Sequence, residues 1–484
     1  MHSDPSSTTL DQLYVGGEQV AAEGTRTITR SDPATGQPGA TVVVAAADQV
    51  DHAVAAADAA RASWRRTPPS QRAALLRSAA AAVRSDADAL GAALTHSTGR
   101  LLGEACQSAR VAADLLEEAA VSGLLDAGRA LAGDAAEMDV VRREPRGVVA
   151  VITPWNDPYP AAAGLLAAAL VTGNTVVHKP SERSAVPGWL LGRLIAAELP
   201  PGVLNVVNGD GAVGERLVAD SRVHVVAHVG STATGRRIAA AVGSRGGRAL
   251  VENGGKDPLL VDSGVDPKWA AEQIAVGAFT NTGQLCTSVE RVYLHEDLAD
   301  AVLTELVAQA EELVVGSPND AATQLGPMVD EEQLRVVEKH VEQALASGAE
   351  LLCGGKRLDL PGSYYPATVL VGCTDDMPVM AEETFGPVAA VAVVPDFADG
   401  LRRAAGGAYG LAATVLTPRL DHALTAAEEL EVGTVKVNAV FGGAPGGSAD
   451  PRRASGSGRG FGPDLLGELT ALKAVHVQSA PSPT

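Results

Sequence analysis

The fold of this chain is decided by four short apolar runs: GVVAVI at 147–152, NTVVHK at 174–179, VLNVVN at 203–208 and HVVAHV at 224–229. Each run is rich in β-branched residues, and helix-like segments separate one run from the next. Strands that alternate with helices are typical of a parallel α/β sheet with both faces covered. Upstream, residues 47–120 carry apolar residues at helical spacing and predict about three helices, with breaks at Pro68-Pro69 and Thr98-Gly99.

A second α/β series follows Gly254-Gly255. Its predicted strands and helices are RVYLH at 291–295, AAVAVV at 389–394, VGTVKVN at 432–438 and the helical patterns at 297–313 and 331–346. A chain of 484 residues exceeds the size of one hydrophobic core, so two large domains are expected. Residues 440–463 are Gly-rich without a regular period and predict a long functional loop.

The bulk composition excludes several classes of partner. The formal net charge is −20, and binding to nucleic acid needs clustered Lys and Arg, so a nucleic-acid partner is not expected. The apolar stretch at 161–171 is too short to span a bilayer, and the start of the chain lacks a secretory signal. Four scattered cysteines indicate neither a disulfide framework nor a metal site, so we expect a cytoplasmic protein without a metal.

Two glycine-rich turns could bind a dinucleotide. Gly209–Gly214 matches G-x-G-x-x-G, but the following strand ends without the acidic residue that this fingerprint requires, which argues against it. The turn Gly230–Gly235 runs directly into a helical pattern, where Ser231 and free N–H groups favour anions. Lys179 and Glu182 of the KPSE segment could then hold the hydroxyls of a ribose.

The segment FTNTGQLCTS, residues 279–288, contains the candidate nucleophile Cys286. A cysteine is suited to covalent attack because even an ordinary thiol is partly thiolate near neutral pH. An isolated cysteine is more often a packing residue, so the assignment depends on its neighbours.

The neighbouring motifs form a set, which consists of PWNDP (154–158), KPSE (179–182), GSTATG (230–235), ENGGKDP (252–258), NTGQLC (281–286), EETFGPV (382–388) and SGSGRGFG (455–462). With this set the chain resembles the aldehyde dehydrogenase superfamily, of the NAD(P)-dependent, non-acylating, carboxylate-forming kind, from about residue 12 to 478. Glu252 precedes Cys286 by 34 residues and Glu383 follows it by 97, as in typical members.

The resemblance implies an α/β fold with two parallel-sheet domains and a small β arm. A Rossmann-like NAD-binding domain would comprise residues 10–124 and 147–253, and the catalytic domain residues 254–464. An oligomerisation arm of residues 125–146 and 465–480 would build a homodimer or homotetramer. The composition of the termini predicts disordered tails at 1–9 and 481–484.

The resemblance also implies roles. Cys286 would attack a small-molecule aldehyde, Asn156 and the Cys286 backbone N–H would stabilise the oxyanion, and Glu252 would activate water to hydrolyse the thioester. Glu383 would hold the nicotinamide ribose beside Phe385. The full set of expected cofactor-binding residues is Thr153, Pro154, Trp155, Lys179, Ser181, Glu182, Gly214, Gly230, Ser231, Gly235, Asn253, Gly254, Glu383 and Phe385.

The Glu182 carboxylate would accept hydrogen bonds from free ribose hydroxyls and repel a 2′-phosphate, so NAD is the expected cofactor. Family members that carry KPSE can use both NAD and NADP. Asp157, Ala161 and Gly164 share one helix face and, with Leu285 and Thr287 beside the nucleophile, would line the substrate tunnel. Such a tunnel is roomy and partly polar, which favours a bulky or polar aldehyde.

The chain departs from the family pattern at several positions: His228-Val229 before the GS turn, Asn253 after the base, and Gly460 in the C-terminal loop. Two alternatives stay open. A CoA-acylating member would generally lack the Glu252 carboxylate, and a catalytically silent binding relative would have lost Cys286, Asn156 or Glu252. All three residues are present.

Overall fold

The computed structural model describes residues 9–125, 128–134, 137–442 and 447–480. Within them the helices are α1 Ala47–Arg66, α2 Pro69–Ser85, α3 Ala87–Thr98, α4 Leu102–Ser122, α5 Pro158–Val171, α6 Ala185–Ala197, α7 Gly211–Ala219, α8 Thr232–Ser244, α9 Pro267–Phe279, α10 Ala299–Glu312, α11 Glu331–Ala346, α12 Pro378–Ala381, α13 Phe397–Ala404, α14 Leu420–Glu429 and α15 Leu465–Glu468.

The strands are β1 Thr9–Leu10, β2 Gln12–Val15, β3 Glu18–Ala21, β4 Thr27–Ser31, β5 Pro38–Val43, β6 Gly128–Ala130, β7 Glu137–Pro145, β8 Val148–Ile152, β9 Thr175–Lys179, β10 Leu204–Val206, β11 Val223–Val229, β12 Arg248–Glu252, β13 Asp257–Val261, β14 Val289–His295, β15 Glu350–Cys353, β16 Thr368–Val371, β17 Val388–Val394, β18 Ala412–Leu416, β19 Thr434–Val437, β20 Gly456–Ser457 and β21 Thr470–Gln478.

The first sheet contains eight strands in the order β20-β12-β11-β8-β9-β10-β2-β3. Its five central strands, β12 to β10 in that order, are parallel, and four of them (β8, β9, β10 and β11) carry the runs that predicted the sheet. Antiparallel pairs close both edges. The predicted α/β fold is therefore confirmed, and the carboxyl ends of these parallel strands meet at one edge of the sheet.

Four helices, α1 to α4, occupy the region where about three were predicted. The breaks at Pro68 and Gly99 lie where expected, but a further break at Asp86 separates α2 from α3. Asp86 is the C-cap of one helix and the N-cap of the next, and no Gly or Pro marks the position. Alanine-rich faces of α2, α4 and α5 pack closely in the largest core.

The second sheet contains seven strands in the order β15-β16-β17-β14-β13-β18-β19, all parallel except for β15. The sequence analysis missed the central strands β13 and β18. β13 (DPLLV) contains a Pro and a single β-branched residue, and β18 (AATVL) contains only two β-branched residues, so neither shows a strong enrichment in the residues that predict a strand.

A third, antiparallel sheet of order β21-β7-β6 is built from residues of the expected arm. Thr9, which was expected in a disordered tail, pairs with Thr41 in a small separate sheet. The remaining tail residues, 1–8 and 481–484, lie outside the described residues, as do 126–127, 135–136 and 443–446. No described helix has the length and apolar character needed to cross a membrane.

Candidate active site

The loops that follow β8, β9, β11 and β12 surround a cavity of about 730 Å³ at the carboxyl edge of the first sheet. Of the expected cofactor residues, those that line this cavity are Thr153, Pro154, Trp155, Lys179, Ser181, Glu182, Gly214, Gly230, Ser231, Asn253, Gly254, Glu383 and Phe385. Cys286 and Asn156 line it as well. The cavity therefore joins the expected dinucleotide residues to the expected nucleophile.

Gly235 is the one expected cofactor residue outside the lining. A Cβ built at Gly235 would lie 1.8 Å from the Asn253 Oδ1 atom. The glycine thus allows α8 to pack against the Asn253 side chain, which itself reaches the cavity. Gly235 therefore contributes to the site by packing against Asn253 and does not line the cavity itself.

Lys179 and Glu182 form the polar end of the cavity. The buried Lys179 Nζ donates to the Pro180 carbonyl at 3.2 Å and lies 3.6 Å from a Glu182 oxygen. Burial lowers the pKa of Lys179 from its ordinary value, and Glu182 and Asp210 oppose that shift. The Lys179 ammonium can donate a hydrogen bond and the Glu182 carboxylate can accept one, which suits the neighbouring hydroxyls of a ribose.

Several buried polar atoms around the cavity have no hydrogen-bond partner among the described residues. They include both ring nitrogens of His228 and Asn253 Oδ1. His228 is only 5% exposed, and burial lowers its pKa to about 4, so its ring is neutral at pH 7. Unpaired buried polar groups are costly, and a bound polar ligand would satisfy them. At the N-terminus of α8, Ser231 Oγ accepts from the Thr234 N–H at 3.4 Å, which completes a site suited to an anion. These residues fit a dinucleotide.

The Cys286 loop follows α9 through a strained turn. Asn281 (φ 51°), Thr282 (φ 57°) and Gly283 (φ 68°) all adopt the left-handed conformation, which is costly for the first two. Asn281 Nδ2 donates to the Gln284 carbonyl at 3.2 Å, and Thr282 Oγ1 donates to the Gly326 carbonyl at 3.1 Å. These bonds hold the loop in the shape that presents Cys286 to the cavity.

Asn156 contacts the same loop. Its Nδ2 donates to the Gln284 carbonyl at 3.0 Å, and its own backbone carbonyl accepts from Arg100 Nη1 at 3.3 Å and from Asn281 Nδ2 at 3.4 Å. The structure thus brings the expected oxyanion donor to within two residues of Cys286. A side-chain amide has a second N–H available for a developing oxyanion.

Two expected site carboxylates, the base Glu252 and the ribose-binding Glu383, are partly buried and act electrostatically on Cys286. Burial raises the pKa of Glu252 to about 7 and that of Glu383 to about 8. Glu252 packs against Gly460, where a Cβ would lie 2.4 Å from the carboxyl carbon. Glu383 accepts a hydrogen bond from the Gly255 N–H at 3.0 Å. Glu252 does not line the large cavity, and its carboxyl group lies against Gly460 of the C-terminal loop.

The Cys286 thiol differs from the ordinary thiol that the sequence analysis assumed. Burial raises its pKa well above the usual range, and the charges of Glu252, Asp257 and Glu383 raise it further. At neutral pH the thiol is therefore protonated in this structure. For Cys286 to attack a substrate, a proton acceptor or a nearby cation must shift the equilibrium from thiol to thiolate.

A buried polar cluster that the sequence analysis did not assign holds the loop carrying Glu383. Glu290 accepts from the backbone N–H groups of Thr384 at 2.7 Å and Phe385 at 2.9 Å. It also pairs with Lys256 Nζ at 2.5 Å. Phe385 has a positive φ of 52° and meets Trp155 edge to face at 5.5 Å. The sequence did carry a signal for this cluster, namely the charged residues Glu290 and Arg291 inside the otherwise apolar run VERVYLH.

The expected tunnel residues lie apart from the large cavity. Asp157 accepts from Ser108 Oγ at 2.5 Å and pairs with Arg100 Nη1 at 2.7 Å. Ala161 is buried, and a Cβ at Gly164 would contact Phe461 of the C-terminal loop at 3.8 Å. Leu285 and Thr287, on either side of Cys286, are partly buried. Their role in binding substrate stays a prediction.

Comparisons with known proteins bear on the family and the fold of the chain. A model of the aldehyde dehydrogenase family matches residues 20–475. The NAD-dependent aldehyde dehydrogenase from Sinorhizobium meliloti is 32% identical, with a TM-score of 0.95 over 99% of this chain and 96% of that one. A 3,6-anhydro-L-galactose dehydrogenase in complex with NAP is 31% identical, with a TM-score of 0.94 over 97% of this chain and all of that one.

An indole-3-acetaldehyde dehydrogenase in complex with NAD+ is 30% identical, with a TM-score of 0.94 over 97% of this chain and 96% of that one. The expected fold and enzyme class are thereby confirmed, and the chain belongs to the aldehyde dehydrogenase family.

Proposed function

We propose that the protein oxidises an aldehyde to a carboxylate with NAD+ through a thioester on Cys286. The observation that carries this proposal is the convergence of Asn156 and Cys286 at the end of a cavity that is also lined by Lys179, Glu182 and the α8 turn. The partly buried Glu252, whose charge acts on Cys286, supports hydrolysis as the final step. Residues 10–124 with 147–253 would bind the cofactor, and residues 254–464 would complete the catalytic site.

In the first step the Cys286 thiol gives up its proton to water, its sulfur forms a bond to the aldehyde carbon, and the carbonyl π electrons move to oxygen. The Cys286 backbone N–H and Asn156 Nδ2 would donate to that oxyanion. A bound dinucleotide would supply the acceptor for the hydride that leaves the same carbon. Collapse of the oxyanion then leaves an acyl group on Cys286.

In the second step water attacks the acyl carbon. Glu252 accepts a proton from that water, for which a carboxylate with a pKa of about 7 is well matched. The carbon–sulfur bond breaks, the carboxylate product leaves, and Cys286 is regenerated. This role for Glu252 favours hydrolysis over transfer of the acyl group to CoA.

We expect NAD to be preferred over NADP. The Glu182 carboxylate, held near Lys179, can accept hydrogen bonds from ribose hydroxyls and repels a 2′-phosphate. Among the structural relatives, the 3,6-anhydro-L-galactose dehydrogenase is in complex with NAP and the indole-3-acetaldehyde dehydrogenase is in complex with NAD+. Equal or better kcat/KM with NADP would contradict the preference.

The antiparallel sheet of β6, β7 and β21 supports assembly through the arm as a homodimer or homotetramer.

All four cysteines are free thiols, which is consistent with a reducing cytoplasm. Asp157, with Arg100 and Ser108, gives the expected tunnel a polar wall and supports a polar or bulky aldehyde.

The test is a panel of aldehydes assayed with NAD and NADP by formation of reduced cofactor, with Cys286→Ala beside the wild-type enzyme. We expect wild-type turnover and a complete loss in the variant. Cys353→Ala is a matched control because it removes a buried thiol in the same domain, away from the cavity. Oxidation that survives in Cys286→Ala rules out the proposed nucleophile.

A further inference from the structure

Arg183 follows β9 of the first sheet, Trp155 follows β8, and both residues line the cavity. The Arg183 guanidinium lies over the Trp155 ring, with 5.6 Å between Cζ and the ring centroid. The same guanidinium extends to the start of α11, where Nε lies 3.0 Å from Asp330 Oδ2 and Nη2 lies 2.8 Å from Glu332 Oε2. One side chain thus contacts both a loop of the first sheet and helix α11.

Helix α11 is fixed in the core of the second sheet. Its Leu334 and Val337 belong to the core cluster that contains Tyr293 of β14. Asp330 is the N-cap of this helix and accepts from the Gln333 N–H at 2.9 Å. The pairing of Arg183 with Asp330 therefore joins the loop after β9 to an element that packs with the second sheet.

The Arg183–Asp330 pair is largely shielded from water, with 18% of the Arg183 side chain and 12% of the Asp330 side chain exposed. Arg30 of β4 pairs with the same Asp330 oxygen. The Glu332 side chain, by contrast, is 77% exposed, and an exposed ion pair contributes little. Removing one partner of a shielded pair leaves a partly desolvated charge, so the contact with Asp330 is the stronger constraint on Arg183.

The contacts of Arg183 and Asp330 form a closed ring with two aromatic residues. Gln333 Nε2, one turn into α11, donates to the Phe385 carbonyl at 3.3 Å. The Phe385 ring meets the Trp155 ring edge to face at 5.5 Å, and Arg183 lies over the same Trp155 ring. Every member of this ring except Asp330 lines the cavity. The ring therefore connects the two walls of the cavity.

We propose that Arg183 is a positioning residue for the dinucleotide: by pairing with Asp330 it holds the two walls of the cavity together, and so sets the affinity for the cofactor and the rate at which it leaves. The inference rests on the proposed function and concerns how the same site holds its cofactor. A direct contact of Arg183 with the cofactor is a different explanation. Asp330 separates the two, because it does not line the cavity and its removal would leave a direct contact intact.

The experiment measures binding of NADH by fluorescence, without an aldehyde, in Arg183→Met, Asp330→Asn and the double variant. An Asn at residue 330 can still cap α11 but carries no charge. We expect each single variant to raise Kd and the dissociation rate of NADH roughly tenfold, the effect of one lost charge-assisted contact. The double variant should bind NADH about as well as the single variants, because both changes break the same contact.

Arg357→Met is the matched control. Arg357 pairs with Glu331 of the same helix at 2.7 Å, and neither residue lines the cavity, so Kd for NADH should not change. Arg183→Lys should restore part of the affinity, because a Lys keeps the charge and loses the planar contact with Trp155. Thermal midpoints report whether each variant is folded. Asp330→Asn and Arg183→Lys carry the same test if Arg183→Met is not.

Turnover gives a second readout that a general loss of structure would not reproduce. In both single variants KM for NAD should rise roughly tenfold, while the first-turnover rate of cofactor reduction at saturating NAD should change less than about twofold. This division is expected because the ion pair acts on cofactor binding and contacts no reacting atom.

A wild-type Kd for NADH in Asp330→Asn overturns the inference, because Arg183 would then act by direct contact. A double variant weakened by the product of the single effects, about a hundredfold, also overturns it, since the two residues would act independently. If Kd rises as expected while no aldehyde is oxidised, the positioning role stands and the proposed oxidation fails.

Discussion

Gly460 sets the position of the Glu252 carboxylate. A Cβ at residue 460 would lie 2.4 to 2.6 Å from the carboxyl carbon and both of its oxygens. Gly460→Ala would therefore move the carboxylate without changing its chemistry. We expect the steady-state rate to fall on the order of tenfold while the first turnover of cofactor reduction is retained, because misplacement affects water activation.

Stopped-flow measurement of the burst and of the steady state separates the two steps. Gly243→Ala is a suitable control, since a Cβ there meets no atom within 4 Å. A steady-state rate equal to that of the wild type in Gly460→Ala would show that Glu252 tolerates displacement and is not the base.

The pKa of Glu252 predicts the pH dependence of hydrolysis. Burial raises this pKa to about 7, so below pH 7 the carboxyl group is protonated and cannot accept a proton from water. The rate of thioester hydrolysis should increase as pH rises through about 7 and then level off. Glu252→Gln should lose this inflection, which rapid-mixing measurements between pH 5.5 and 8.5 can establish. An inflection that persists in Glu252→Gln would assign it to another group.

At the scale of elements, the loop carrying Glu383 depends on β14 through Glu290. Glu290→Ala removes the acceptor for the Thr384 and Phe385 N–H groups and leaves Lys256 buried without its partner. We expect KM for NAD to rise roughly tenfold, with a lower thermal midpoint, because the loop and the buried charge both lose support.

Glu290→Gln keeps one acceptor and should have a smaller effect on KM. Glu382→Gln alters an exposed carboxylate on the same loop and serves as the control. Wild-type KM values in Glu290→Ala would show that the cluster does not position the cofactor loop.

Helices and strands could be predicted from the sequence where the residues of the element itself, or those at its ends, carry the signal. Strands such as β8 and β11 are runs of β-branched residues between turns. Helices end next to Pro68 and Gly99 because Pro lacks a backbone N–H and Gly readily adopts the left-handed conformation. β13 (DPLLV) contains a Pro and only one β-branched residue, and no Gly or Pro marks the break at Asp86. The site residues were identified through the resemblance of their motifs to the aldehyde dehydrogenase family. The partners of Asp157 were not predictable, because they depend on packing between distant elements.

For the whole molecule, buried carboxyl groups make stability depend on pH. Burial raises the pKa of Asp257 to about 8, whereas an Asp in an unfolded chain has a pKa of about 4. Between these values the folded state binds more protons than the unfolded state, so rising pH lowers stability. Asp257→Asn removes this contribution and keeps an acceptor for the Ala412 N–H.

We expect the thermal midpoint of Asp257→Asn to rise relative to that of the wild type as pH increases from 5 to 8. The relative gain should be at most about 1.4 kcal/mol per pH unit. Thermal unfolding of the cofactor-free proteins across this range tests the prediction. Two parallel curves would mean that Asp257 is already ionised in the folded protein.

The central claim is that the acyl group is carried by Cys286 and released by Glu252. Peptide mass mapping of Glu252→Gln, quenched after mixing with an aldehyde and NAD, tests it most directly. The account predicts that Cys286 gains the mass of the aldehyde less two hydrogen atoms, in proportion to the cofactor reduced in the first turnover. Reduced cofactor without a modified Cys286, or with the acyl group on another residue, would contradict the account.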